Sequence, residues 1–391
     1  MPLRIAILGF VFFVIALPSR AQELKKPENS VRIATYNVAL NRKAKGALSK
    51  ELADGKSKQA IQVAEVIQRV RPDVLLINEL DYDGGKSVEL FSQKYLMVGQ
   101  GDLKPMSYKF SHCGMVNTGV PSGLDYDGNG KTGEPNDALG FGYFPGQYGM
   151  AIYSSLPIVS DEARSFQKFL WKDMPNRSIP VKKDGEDYYS KEVMNQFRLS
   201  SKSHWDVPIK VGDEVVHFLV CHPTPPVFDG AEDKNGCRNY DEIRMWVDYV
   251  SGNGAYLYDD SGKKGGFPKN ASFVIAGDLN ADPLDGDSRK GAMEQLLSLS
   301  EVNNAIAPES TGGKYWSDSQ GGANGKHKGN PLCDTGDFSD SRVGNMRIDY
   351  VVPSKNLKIM GSGVFWPKPD EAGAEAAKAS DHRLVWIDIA K

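Results

Sequence analysis

Several short stretches of this chain put a residue able to hold a metal or move a proton at the end of an apolar run. Asn37 closes Val31–Asn37, Glu79 follows Val74–Asn78, and His222 follows Phe218–Cys221. Asp278 and Asn280 end Phe273–Asn280, Asp349 opens Tyr350–Val352, and Asp381 with His382 precedes Leu384–Ile389. A lone Asp or Asn at a strand end is ordinarily a turn former or a helix cap. The set means more, because strands that share a sheet and end on one edge deliver their terminal side chains to one cleft. Carboxylates there can bind a hard cation or accept a proton from water. Imidazoles can carry protons near neutral pH, and amides can donate to a phosphoryl oxygen.

In Phe273-Val274-Ile275-Ala276-Gly277-Asp278-Leu279-Asn280 the apolar run is a buried strand, and Gly277 permits close approach of another backbone or a ligand. Positions 278 and 280 of an extended chain point to the same side, so a carboxylate and an amide would face one pocket. Buried together without a cation or ligand, they would be costly. In Ser380-Asp381-His382-Arg383 adjacent side chains of an extended segment diverge. Either a carboxylate other than Asp381 orients His382, or Asp381 faces a metal or water while His382 faces the substrate.

The elements that must position these groups are readable in outline. Val31–Val38 is rich in β-branched and aromatic residues and predicts a strand. Between Gln59 and Val70 the apolar residues Ile61, Ala64, Ile67 and Val70 recur every three positions, which predicts an amphipathic helix stopped at Arg71-Pro72. Val74–Ile77 then predicts a strand buried on both faces. Further strands are expected at 150–153, 215–221, 272–276, 347–352 and 384–389, with helices near 241–250 and 291–297. Residues 100–148, rich in Gly, Pro, Asp and Asn, are expected to form a long surface insertion; 160–210, 225–265 and 305–345 are expected to be loops. With no repeat period and no linker, residues 22–391 predict one elaborated α/β domain.

With 40% hydrophobic and 25% charged residues, the chain of 391 residues can bury a large core and is not disordered. A net charge of −3 excludes an overall basic field for nucleic acid, though not a local groove. Residues 1–21 are expected to be a secretory signal peptide: Arg4 supplies the positive start, Ile5–Leu17 the apolar run, and Ala21 the cut site. That run is shorter than the ~20 residues of a spanning helix. The mature chain is therefore expected outside the cytoplasm, secreted or periplasmic. Export permits disulfides, and among Cys113, Cys221, Cys237 and Cys333 the short Cys221–Cys237 loop is the favoured pair; four free, partly buried thiols are the alternative.

Taken in order, the stretches Thr35-Tyr36-Asn37-Val38, Pro72–Glu79, Gly149–Ser154, Val220-Cys221-His222, Gly277-Asp278-Leu279-Asn280, Ile348-Asp349-Tyr350-Val351 and Ser380-Asp381-His382-Arg383 resemble the endonuclease/exonuclease/phosphatase superfamily along the whole mature chain. The resemblance implies a four-layered α/β sandwich, two mixed β-sheets face to face with helices outside, enlarged by long loops. It also implies hydrolysis of phosphate esters with a divalent cation, Mg²⁺ or alternatively Mn²⁺. Glu79 would be the principal metal ligand, with Asn37 beside it and Asp381 by the metal or water. Asp278 and Asn280 would position the attacking water, and His222 would bond a phosphoryl oxygen. His382, oriented by a carboxylate such as Asp349, would act in acid/base catalysis or charge stabilisation. The general base stays divided between Asp278 and His382.

Two features lie outside that set. Asp125-Tyr126-Asp127-Gly128-Asn129-Gly130 alternates oxygen ligands as a Ca²⁺ loop does, with Asp125, Asp127 and Asn129 as ligands, although its twelfth position is Asn136 and the bidentate Glu is missing. A structural Ca²⁺ there and a Gly/Asn-rich turn are the two readings. The rings of Phe141–Tyr148 could flank a cleft and stack on a base or a lipid, or simply pack a surface loop. The expected partner is a phosphate-ester substrate, DNA or RNA before a lipid head group or a phosphomonoester, acted on by a monomer with no membrane span. A non-catalytic binder with the same fold is the alternative from another class.

Overall fold

The computed structural model describes residues 24–391, so the segment 1–21 lies outside the described residues. In chain order the strands are β1 (Ser30–Leu40), β2 (Val74–Leu80), β3 (Phe110–Cys113), β4 (Met150–Ser154), β5 (Arg164–Ser165), β6 (His204–Val211), β7 (Glu214–Cys221), β8 (Ser272–Asp278), β9 (Gly336–Asp337), β10 (Asn345–Met346), β11 (Asp349–Pro353), β12 (Ile359–Val364) and β13 (Val385–Ala390). The α-helices are α1 (Ala47–Leu52), α2 (Lys58–Val70), α3 (Lys86–Phe91), α4 (Lys191–Gln196), α5 (Lys234–Val250), α6 (Glu294–Leu297) and α7 (Thr311–Gln320).

One sheet has the order β12-β13-β1-β2-β4-β3 and the other β11-β8-β7-β6-β5. Each is mixed: β1–β2 and β7–β8 run parallel, and the other pairs antiparallel. Alternation along the strands builds the layers. Ile33 of β1 and Leu76 of β2 face the inter-sheet core with Val220 and Val274. Their neighbours Ala34 and Leu75 face outward onto Val63 and Ile67 of α2. On the far side Leu219 and Ile275 pack outward against Met245 and Trp246 of α5. Helices, sheet, sheet and helices thus form four layers.

The helix expected at 59–70 is α2, capped by Ser57, whose hydroxyl accepts from Ala60 N, and ended by Arg71 in a left-handed conformation. Four expectations need correction. The insertion 100–148 contains β3, an edge strand of the first sheet, and is not all loop. The stretch 160–210 contains β6, which pairs with β7 over its whole length; Asp206 and Pro208 disguise it, yet Asp206 is buried because His217 Nδ1 and Tyr249 Oη lie 2.7 Å from its carboxylate. The stretch 305–345 contains α7. No Cys221–Cys237 bridge forms: all four cysteines are free, and Cys221 and Cys237 pack as small apolar side chains in one core layer.

Candidate active site

Parallel pairing sets the site. β1 beside β2 puts Asn37 level with Asn78, one residue before Glu79, and β7 beside β8 brings His222, just beyond β7, near Asp278. Antiparallel β11 sets Asp349 directly opposite Asp278, while β13 returns along β1 and delivers His382 at its entry. The sheets meet where Asn37 Nδ2 donates to Asp278 Oδ2 at 3.0 Å. Gly277 matters here, because a Cβ on it would sit 2.0 Å from the carbonyl oxygen of Cys221.

Asp278 is the hub of the cluster. Besides Asn37, its Oδ2 has His222 Nε2 at 3.3 Å and His382 Nε2 at 3.8 Å, and its Oδ1 accepts from Asn280 N at 2.9 Å. His382 Nδ1 lies 2.9 Å from Asp349 Oδ2, and Ser380 accepts from His382 N while donating to Asn37 O. Burial alone would raise Asp278, but the charge of His382 and the contacts with His222 and Asn37 outweigh it and hold the carboxyl well below the usual range. Burial would also depress His382, yet Asp349 and Asp278 more than offset it and raise the imidazole well above its ordinary value. Asp349 itself is pushed up by burial, against the pull of His382. His222 goes the other way, lowered by burial and then by Lys202.

These groups border a cavity of about 510 Å³. Glu79, His222, Asp278, Asn280 and His382 line it; Asn37 and Asp349 lie buried behind, each bonded to a lining residue. Two of the lining residues, Glu79 (φ 61°) and Asn280 (φ 53°), hold left-handed backbone conformations, a local strain of ~1–3 kcal/mol that the surrounding fold must hold in place.

The sequence profile described as the Endonuclease/Exonuclease/phosphatase family matches residues 34–382. The chain belongs to this family. As a member of the endonuclease/exonuclease/phosphatase family, it has a fold whose bearers are generally phosphoesterase hydrolases that use divalent metals. Similar solved structures include an endonuclease/exonuclease/phosphatase from Beutenbergia cavernae DSM 12333, at 17% identity over 93% of this chain and 72% of that one, with a TM-score of 0.47. A family protein from Leptotrichia buccalis C-1013-b is similar at 15% identity over 92% and 99%, TM-score 0.46. Sphingomyelinase C from Streptomyces griseocarneus is similar at 13% identity over 93% and 99%, TM-score 0.46. No curated protein sequence matches the chain.

Within this member of the endonuclease/exonuclease/phosphatase family, the expected same-side placement of Asp278 and Asn280 holds but its reason differs. β8 stops at Asp278, and a turn closed by Asn280 N on Asp278 Oδ1, with Asn280 Nδ2 on Pro223 O at 3.1 Å, brings the amide round. Asp381 stands apart: its side chain is 55% exposed and its Oδ1 is 4.0 Å from His382 Nε2, so Asp349 rather than Asp381 orients the ring. The donors beside the cavity suit a hard divalent cation. Glu79, held by Asn41 Nδ2 at 2.7 Å, and Asp381 pair with no lysine or arginine among the described residues, and Asp349 Oδ1 is buried with no partner. Asp278, Asp349 and His382 can also bring one ligand atom each within 4.8 Å of one another.

At the second acidic loop the structure replaces one ligand. Asp125 and Asp127 converge with Asp137, which the Ca²⁺ pattern omits, whereas Asn129 turns away to donate to Glu134 Oε2 and to accept from Lys131 N. Asp125 already accepts from the backbone N–H groups of Gly128, Asn129 and Gly130. Sequence reasoning also missed Asn41, the holder of Glu79, and the buried Lys202. Asn41 follows the short run Val38-Ala39-Leu40 just past β1, a position that could have marked it, whereas Lys202 ends no apolar run and no pattern marks it.

Proposed function

We propose that this chain is a metal-dependent phosphodiesterase that cleaves nucleic-acid phosphodiester bonds by attack of water. The observation that carries the reading is the buried Asp278 carboxylate, held ionised amid Asn37, His222 and His382 at the wall of a cavity. In this reading Asp278 orients the attacking water and takes its proton, and His382, whose protonated form is favoured by Asp349 and Asp278, serves as the acid rather than the base. Asn280 and His222 donate to phosphoryl oxygens. The His382 cation, fixed by Asp349, offsets charge that grows on the phosphate and protonates the leaving oxygen. Glu79, with Asn37 and Asp381, would hold a divalent cation, Mg²⁺ or Mn²⁺, which when bound supplies positive charge against the phosphate's own.

The exposed rings of Phe141 and Tyr143, packed edge to face beside the cavity, favour a substrate with bases to stack on. Residues 22–391 act as one catalytic unit and as a monomer, exported after removal of residues 1–21. The test is hydrolysis of bis-p-nitrophenyl phosphate. Mg²⁺-dependent turnover abolished by EDTA is expected, and a rate unchanged by EDTA would refute the metal. Plasmid DNA, RNA, sphingomyelin and a phosphomonoester in one panel then decide the substrate; a preference for sphingomyelin would move the assignment to lipid head groups.

A further inference from the structure

Lys202 sits in the cavity wall and is 6% exposed, within a run from Ser200 to His204 that is buried throughout. An ammonium has three donors to satisfy. Lys202 Nζ makes one contact, with the carbonyl oxygen of Pro223 at 3.3 Å, and no carboxylate among the described residues forms an ion pair with it. The other cations of the cavity are engaged. Arg238 donates to the carbonyls of Leu199, Leu139 and Arg198, and Lys234 is beside Glu232 and Tyr188.

A buried, under-bonded cation is costly unless something answers its charge. The nearby Glu242 answers it only through its charge and makes no direct bond to it, because its two oxygens accept the backbone N–H groups of Ser201 and Thr224, each at 2.6 Å. What Glu242 does is clamp the segment carrying Lys202 to the segment carrying Pro223. The lysine backbone is pinned on its other side by Asn117 N, which donates to Lys202 O at 2.9 Å. Pro223 O is also the acceptor for Asn280 Nδ2, and Pro223 follows His222. Ammonium and amide are thereby gathered on one carbonyl, next in sequence to the His222 whose ring meets Asp278.

Resting on the phosphoesterase reading of the same site, we infer that Lys202 is a substrate-binding cation: its Nζ donates to a non-bridging phosphoryl oxygen that sits between it and Asn280. The anion supplies the directly bonded partner that the surrounding carboxylates Glu242, Glu79 and Asp278 do not, and a fixed backbone leaves the side chain little to reorganise.

The test compares wild type with Lys202→Met and Lys202→Arg in three measurements: kcat and KM on bis-p-nitrophenyl phosphate, inhibition by inorganic phosphate, and the melting temperature with and without inorganic phosphate. Lys202→Met is expected to lower kcat/KM by roughly 10²–10³-fold, the loss seen when one donor to a developing oxyanion is removed. It should also abolish the phosphate-induced rise in Tm while leaving the phosphate-free Tm equal or higher, since an unpaired buried charge is gone; Lys202→Arg should recover part of the phosphate effect. If Lys202→Met keeps kcat/KM and phosphate inhibition within twofold of wild type, the inference is overturned. It is equally overturned if activity falls with Tm while the phosphate-induced shift persists, which marks a structural lysine. Should the methionine variant not fold, Lys202→Gln carries the same phosphate measurement. A wild type that binds phosphate through Lys202 but hydrolyses nothing would break the phosphoesterase reading and leave the lysine assignment standing.

Discussion

The floor and the rim of the cavity are built in opposite ways. On the floor Asn37 is buried within β1 where its pairing with β2 shifts, His222, Asp278 and Asp349 are buried at or just beyond strand ends, and Asp278, the hub, has its carboxylate held by side chains from three other segments. On the rim Tyr143 is 65% exposed and Phe228 90% exposed, and the loop bearing Asp125 is closed mainly by carboxylate-to-backbone bonds. Loop packing there depends on glycine: at Gly119 (φ +70°) a Cβ would lie 1.9 Å from Phe144 O. The contrast teaches that groups doing chemistry are held by cores on both sides of each sheet, whereas groups that meet the outer parts of a substrate need only a stable loop.

Three outcomes would sharpen or break that contrast. The largest is expected from the floor, where Asp278→Asn and His382→Ala should each lower turnover of bis-p-nitrophenyl phosphate by roughly 10²–10⁴-fold with an unchanged circular-dichroism spectrum; wild-type rates in either would dissolve the distinction. Asp349→Asn comes next. It removes one charge-assisted contact to His382, and a loss of about 10- to 100-fold in kcat with KM nearly constant is expected, because Asp349 acts through the ring and not on the substrate. The smallest belongs to the rim. Asp125→Ala with Asp127→Ala should leave kcat within about twofold, while removing any rise in Tm that Ca²⁺ produces in the wild type; a wild-type Tm indifferent to Ca²⁺ would make the loop a plain turn.

Legibility followed the same division. β1, α2, β2, β7 and β8 could be read because each buries a continuous apolar face, and β8 and β11 carry their polar residues, Asp278 and Asp349, at the ends of their apolar runs, where both stay buried. β6 could not be read, since its buried Asp206 makes sense only once His217 and Tyr249 stand beside it. Asn129 looked like a ligand by spacing and Asp137 did not, because the loop's path and not its periodicity decides which oxygens converge.

What the sequence by itself determined is the order of strand-end residues, and with it the family, since burying an apolar run forces its polar terminus to an edge. What only the tertiary structure decided is who meets whom. Asp349 and not Asp381 faces His382, Asn280 reaches the cavity by a turn and not by an extended strand, and Lys202 lies under the same carbonyl as Asn280. The contacts of Asp349 with His382 and of Lys202 and Asn280 with Pro223 join residues tens of positions apart, and only the folded arrangement of the strands brings such residues within hydrogen-bond reach.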